Sequence, residues 1–193
     1  MEPDRILAAA RELFLKEGFE AVPVRAIARR AGCSAGLIYH YFSNKEELMA
    51  RVVEDTFTRL DASLAGCLDH PGSALDRLGS ALRAYIRFGL DHPHDYAFLF
   101  AHNTEKIDPH VLNVFRTKGT GCFERLRDLC QESMRAGLLR EELTDPNEIT
   151  QALWASIHGM VHLLCSVKGF PFVNRKPLIE RHVEILLRGI RRG

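Results

Sequence analysis

The sequence predicts an all-α protein: an N-terminal three-helix helix-turn-helix module followed by a C-terminal helical bundle, about nine helices in all. Three observations predict it. Apolar residues recur at three- and four-residue spacing, Ser, Asp, Asn, Pro and Gly punctuate those runs where helices start and stop, and no stretch keeps the alternation of a half-buried strand. Hydrophobic residues at 46% and charged residues at 26% exclude disordered and fibrous classes.

The first helix is expected to open at Pro3, to line Ile6, Leu7, Ala10, Leu13 and Phe14 along one face, and to stop at Gly18. The second should run from Pro23 to about residue 31. It buries Val24, Ile27 and Ala28, points Arg25, Arg29 and Arg30 outward, and ends at Gly32 in the left-handed conformation. Ser34 is placed to cap a short third helix from 35 to about 42. Ser43 and Asn44, each followed three residues later by Glu46 or Glu47, offer two overlapping capping boxes that start a fourth helix near Lys45. Its apolar seam is Leu48, Val52, Phe57, Leu60 and Leu64. Further helices are expected at about 73–91, 94–103, 109–136, 146–167 and 175–191. The helix after Thr144 is marked by Asp145 as N-cap, Pro146 at the first position and Glu148 as a reciprocating carboxylate. The expected division is a helix-turn-helix module over 1–47 and a bundle over 48–193.

Five scattered cysteines, Cys33, Cys67, Cys122, Cys130 and Cys165, without a CxxC pair, fit neither a disulfide framework nor a zinc ribbon and suit a reducing, cytoplasmic compartment. The N-terminus is charged and periodic from its first residues, unlike a signal peptide. Residues 149–167 lack Lys, Arg, Asp and Glu, but Gln151, His158 and His162 interrupt the run, which reads as a buried bundle helix and not a membrane span.

A net charge of +1 carries no bulk signal of a nucleic-acid partner, so its distribution has to. From 21 to 45 there are four cations, Arg25, Arg29, Arg30 and Lys45, and no Asp or Glu, while Glu17, Glu20, Glu46 and Glu47 lie just outside. Two short helices joined by a glycine-containing turn within such a window lay the second helix into a major groove. There Tyr39 and Tyr41 offer hydroxyls, His40 an imidazole and Leu37 a contact for a thymine methyl, while Gly36 and Ala35 permit close approach. Lys45, at a helix N-terminus, and Arg25 are candidate phosphate contacts. From the residues alone, partly buried tyrosines and a solvated arginine face remain the alternative.

The segment GFEAVPVRAIARRAGCSAGLIYHYFSNKEEL (18–48) resembles the DNA-binding signature of the tetracycline-repressor (TetR) family of bacterial transcriptional regulators. The resemblance implies a non-enzymatic, dimeric regulator, by family habit a repressor. It puts Ile27, Ala28, Ala31, Gly32 and Phe42 in the module's core, gives Ser34 the cap of the recognition helix, and places Tyr39, Tyr41 and Lys45 on phosphates. The sequence departs from the family at Val22, where a threonine commonly caps the second helix, and at Ala35, where a lysine is common. Each loss is expected to weaken binding to every DNA sequence alike.

Residues 84–100 and 153–164 resemble the effector domain of a TetR subgroup marked by a Trp-His-Gly (WHG) pattern, here Trp154, His158 and Gly159. Candidate effector-lining residues are Tyr85, Phe88, Tyr96, Phe100, Phe115, Phe123, Trp154, His158 and His162, with ordinary core packing the alternative for each aromatic. His158 and His162 lie one turn apart with Cys165 beyond, but that spacing lacks a further ligand, so no metal and no cofactor are expected. Buried inert thiols are expected at Cys33, Cys122 and Cys130.

The last two helices carry apolar faces, Ile149, Leu153, Ile157, Met160, Val161 and Leu164 on one and Ile179, Val183, Leu186, Leu187 and Ile190 on the other, that a single chain is not expected to bury fully. A twofold dimer through them would set two recognition helices about 34 to 36 Å apart or a multiple, matching a palindromic operator. A small-molecule effector would then release DNA by binding two states unequally. The rivals are an activator or effector-independent regulator of the same fold, and a helical-bundle enzyme using His158 and His162 with a metal or cofactor.

Overall fold

The structure, a computed structural model, describes residues 2–100 and 108–193. Among them lie α1 (Glu2–Glu17), α2 (Val24–Ala31), α3 (Ala35–Tyr41), α4 (Lys45–Ala65), α5 (Ala74–Asp91), α6 (Pro93–Phe100), α7 (Pro109–Val114), α8 (Thr120–Arg135), α9 (Pro146–Ser166) and α10 (Arg175–Ile190). A π-helical turn, Phe115–Gly119, joins α7 to α8, so the ten segments make nine rods. Leu139 and Arg191 form an isolated antiparallel bridge, and no strand occurs among the described residues. The expected end of the sixth helix, 101–103, lies outside the described residues.

The chain divides into two compact units, 1–58 with 94–120, and 59–93 with 121–193. In the first, α1 packs on α2 and α3, and α2 on α3. Ile6, Ala10, Phe14, Val22, Ile27, Ile38, Phe42 and Leu48 are buried. The N-cap of α2 is Pro23, one residue later than the sequence suggested, and a proline has no side-chain acceptor, so α2 starts without a side-chain cap; Val22 before it is buried completely. Gly18 and Gly32 take φ of 83° and 68°, left-handed values that let the chain turn sharply after α1 and α2.

Arg11 was not singled out by its sequence, although it stands four residues after Leu7 and three before Phe14, on the apolar stripe. In the structure its guanidinium holds buried Asp95 of α6 through two bonds of 3.1 and 2.6 Å and Asp55 of α4 through a third of 2.7 Å. One cation thereby ties three helices of this unit together.

The expectation of uninterrupted helix over 109–136 is corrected by the π turn. The Thr117 hydroxyl donates to the carbonyls of Asn113 (2.9 Å) and Val114 (3.3 Å), taking up acceptors in the stretch where the α-helical ladder is interrupted. Phe115 meets Phe57 of α4 edge-on at 5.6 Å, Lys118 pairs with Glu54 of α4 at 3.1 Å, and Gly119 brings its backbone against the Phe57 ring.

In the second unit α5 packs on both α9 and α10. Ser73 and Asp76 form a reciprocal capping box at the start of α5, Ser73 Oγ accepting from the Asp76 amide and Asp76 from the Ser73 amide. At α9 the Asp145 carboxylate accepts from the Asn147 amide at 2.8 Å, a cap that closes two residues on, whereas Glu148 was expected to reciprocate. Of the apolar residues assigned to a dimer face, Ile149, Leu153, Ile157, Val161, Leu164 and Val183 are buried within the single chain, while Met160, Ile179, Leu186, Leu187 and Ile190 are half-buried. The large apolar side chains that α9 and α10 expose are Trp154, Leu163 and Ile185. No described helix is long and apolar enough to cross a membrane.

Candidate nucleic-acid interface and effector region

The short helix α3 is fixed at both ends. Ser34, extended at φ −81° and ψ 154°, accepts from the Leu37 amide at 3.1 Å, and the Phe42 amide donates back to the Ile38 carbonyl at 2.9 Å. Ile38 and Phe42, one turn apart, are buried at 1% and 5% exposure and anchor one face. The other face is open: Tyr39 is 55% exposed, Tyr41 41%, and Gly36 and His40 are exposed too, with Ala35 and Leu37 half-buried. Neither tyrosine nor the imidazole is drawn into the core, which leaves their hydroxyls and ring nitrogens available to a partner.

The turn before α3 is tight because Gly32 and Cys33 direct their amides to the α2 carbonyls, Cys33 to Ala28 at 3.0 Å and Gly32 to Arg29 at 3.3 Å. Arg25, Arg29 and Arg30 are exposed, but they are not equivalent. Arg30 is paired with Glu12 of α1 at 2.5 Å, so it braces the module and is a poorer phosphate donor than its exposure suggests. Lys45 is half-buried, its ammonium 4.2 Å over the Phe19 ring and 3.4 Å from the Glu20 carbonyl, which positions the charge at the start of α4.

The two capping boxes expected at α4 merge into one arrangement: Asn44 accepts from the Glu47 amide and the Glu47 carboxylate accepts from the Ser43 amide, both at 2.7 Å. That second bond holds the Glu47 carboxyl below its ordinary range. The amides of Ser43 and Glu47 are therefore committed to side chains, so a phosphate here would rely on Lys45 more than on the helix end.

The candidate effector residues fall in both units. Tyr96, Phe100 and Phe115 belong to the first, where Tyr96 and Phe100 pack ring to ring at 4.8 Å. Tyr85, Phe88, Phe123, Trp154, His158 and His162 belong to the second. There the Trp154 Nε1–H donates to the Tyr85 hydroxyl at 3.1 Å, and that hydroxyl lies 3.3 Å from His158 Nδ1. Phe123 meets Trp154 edge-on at 6.3 Å, and the His158 ring lies 5.8 Å from the indole. Tyr85 and Phe88 are buried, Phe123 and His158 half-buried, Trp154 partly open and His162 exposed. Burial first, and the neighbouring His162 second, lower the His158 pKa and favour a neutral ring. Cys165 turns its thiol to the Gly89 carbonyl of α5. The Tyr85–Trp154 link escaped sequence reading because 69 residues separate the two and no spacing rule joins them.

Two family models match the chain: bacterial regulatory proteins of the tetR family over residues 6–52, and a tetracyclin repressor-like C-terminal domain over residues 78–186. Among curated proteins, the chain is 26% identical over 141 residues to the HTH-type transcriptional repressor KstR2 of Mycolicibacterium smegmatis, covering 72% of this chain and 68% of that protein. It is 28% identical over 125 residues to the HTH-type transcriptional activator FasR of the same organism, covering 65% of this chain and 57% of that protein. The solved structure of the ketosteroid transcriptional regulator KstR2 of Mycobacterium tuberculosis shares the fold with a TM-score of 0.74 at 19% identity, covering 100% of this chain and 96% of that one. With a helix-turn-helix and a C-terminal domain each matched in place, this chain belongs to the TetR family and is a DNA-binding transcriptional regulator.

Proposed function

We propose that the chain is a cytoplasmic, ligand-responsive repressor that binds a palindromic operator as a homodimer and is released by a small, largely apolar effector. The observation that carries the DNA half is the open face of α3: Tyr39, His40 and Tyr41 are exposed while Ile38 and Phe42 hold the helix from behind. Ser34, Ala35, Gly36 and Leu37 bring the N-terminal turn of α3 close to the base edges, and Arg25 and Lys45 supply phosphate contacts. The functional division falls at 47/48, with the bundle serving effector binding and dimerisation. The dimer forms through α9 and α10, an assignment supported by the exposed Leu163 and Ile185 on those helices.

The effector site centres on Tyr85, Phe123, Trp154 and His158, as expected for the Trp-His-Gly subgroup. The names of two relatives are consistent with an apolar ligand and with repression: one is a ketosteroid regulator, and the repressor KstR2 aligns over most of this chain. α4 is one unbroken helix with residues in both units, and it is the element by which effector binding changes the spacing of the recognition helices. A second reading, activation, is favoured by the relatedness to the activator FasR.

The test is fluorescence anisotropy of the purified protein with duplex DNA from its own upstream region and with a shuffled duplex, over a salt series, beside light scattering for mass. Tighter binding to the natural duplex by a dimer, weakening steeply with salt, is expected. A monomer that ignores both duplexes at low salt would overturn the proposal.

A further inference from the structure

We infer that Arg5 of α1 is a positioning residue for DNA reading: its guanidinium closes the C-terminal end of α2 and so sets the angle at which α3 is presented. This rests on the reading of α3 as the element that enters the major groove. The link between the two helices is short. α2 ends at Ala31, Gly32 turns the chain at φ 68°, and Ser34 already caps α3. Whatever fixes the end of α2 therefore fixes the start of α3.

The last carbonyls of an α-helix have no partner inside it. At the end of α2 the turn itself takes up two of the neighbouring ones, Gly32 and Cys33 donating their amides to the carbonyls of Arg29 and Ala28 at 3.3 and 3.0 Å. The carbonyl of Ala31, the final residue, is met from outside the turn, by Arg5 Nη2 at 2.6 Å across 26 residues of sequence. A cation there also faces the negative end of the helix dipole. The Glu2 carboxylate takes Arg5 Nη1 at 2.8 Å, so both arms of the guanidinium are placed. Gly32 shows how close the group sits, since a Cβ on it would come within 3.2 Å of Arg5 Nη2. Arg30, which also joins α1 to α2, makes a different contact. It pairs with Glu12 side chain to side chain, both more than half exposed, a link that can open without moving the backbone. Arg5 grips main chain where the chain bends, so the turn follows α1. Its side chain is 56% exposed, so its loss removes little packing and the effect falls on the pose of α3 more than on stability.

The test is anisotropy titration of the full-length protein with the duplex from its own upstream region and with a shuffled duplex, over a salt series. The parent is compared with Arg5→Gln, Arg5→Lys and Glu2→Ala. Arg5→Gln is expected to weaken the natural duplex roughly fivefold, to hold the shuffled duplex within about twofold of the parent, and to keep the parent's salt slope. Base contacts depend on the pose of α3, whereas non-specific attraction depends on charge at the phosphates. Arg5→Lys should recover most of the loss, because one ammonium donor serves one carbonyl. Glu2→Ala should match the parent, since the bond to Ala31 remains. The melting temperature of Arg5→Gln should stay within about 2 °C of the parent. Equal loss on both duplexes, with a slope shallower by about one unit, would make Arg5 a phosphate contact and overturn the inference. It is overturned equally by parent-like discrimination in Arg5→Gln, whatever its melting temperature, by Arg5→Lys no better than Arg5→Gln, or by Glu2→Ala as impaired as Arg5→Gln. A parent that does not tell the two duplexes apart removes the reading of α3 itself, and the inference with it.

Discussion

Two clusters of similar residues meet opposite fates in this chain. Tyr39, His40 and Tyr41 on α3 leave their polar atoms outside, whereas Tyr85, Trp154 and His158 bond to one another across α5 and α9. The difference lies in what stands behind them. α3 has only seven residues and only Ile38 buried within it, with Phe42 at its cap, so one face is all it can give to a core. α5 and α9 pack against each other, so the Tyr85 hydroxyl, buried there, is met by side chains of the chain itself. The outer cluster leaves its polar groups to solvent, and the inner one links its own across two helices.

The comparison breaks most visibly at the buried anchor of the outer cluster. Ile38→Ala removes a side chain that is 1% exposed, and should cost about 2–5 kcal/mol of unfolding free energy, read by denaturant titration, with loss of DNA binding. If DNA binding survives that loss intact, α3 is not the reading element. Ser34→Ala removes the cap bond to Leu37 and should cost about 1 kcal/mol, with DNA affinity falling because the first turn of α3 frays. Tyr85→Phe, in the inner cluster, takes the phenol oxygen from both indole and imidazole and should cost about 1 kcal/mol without changing DNA affinity.

Outer-face substitutions should show the reverse pattern. Tyr39→Phe is expected to leave stability within about 0.5 kcal/mol, because the ring already stands in solvent, and to weaken DNA binding through loss of the hydroxyl. Lys45→Gln should reduce the slope of log affinity against log salt by about one unit or less. A Tyr39→Phe protein that melts several degrees lower while binding DNA normally would place that tyrosine in the fold and not in the interface.

The legibility of the two clusters in the sequence follows the same division. The module from residue 18 to 48 is specified by neighbours: Gly32 ends α2, Ser34 starts α3 and Asn44 starts α4, each acting within four residues. Short-range rules therefore place α3 and its outward residues correctly. The inner network depends on partners 69 and 73 residues apart, and the Arg11 hub on one 84 residues away, which no periodicity encodes. Even the apolar faces of α9 and α10 were legible only as apolar. That Ile157 and Val161 serve the chain's own core while Leu163 stays outside depends on how α5 packs against α9. The π turn escaped for a related reason, since the Phe57 ring that sits against Gly119 comes from a helix far earlier in the chain.

The smallest expected effect is the pH dependence that the inner cluster gives to stability. His158 is held with a lowered pKa by burial and by His162, and His182 likewise by burial, while His40 stands in solvent. An unfolded chain takes up protons on His158 and His182 near their ordinary value of 6.5 before the folded chain does, so the unfolded state binds more protons just below that pH. Stability should therefore be highest above about pH 7 and fall as pH is lowered through the ordinary histidine range, until the folded-state values are reached. Melting curves from pH 8 to 5.5 on the parent and on His158→Gln should show a shallower decline in the variant. Parallel curves for the parent and His158→Gln would mean that the folded protein does not hold the His158 imidazole below its ordinary value.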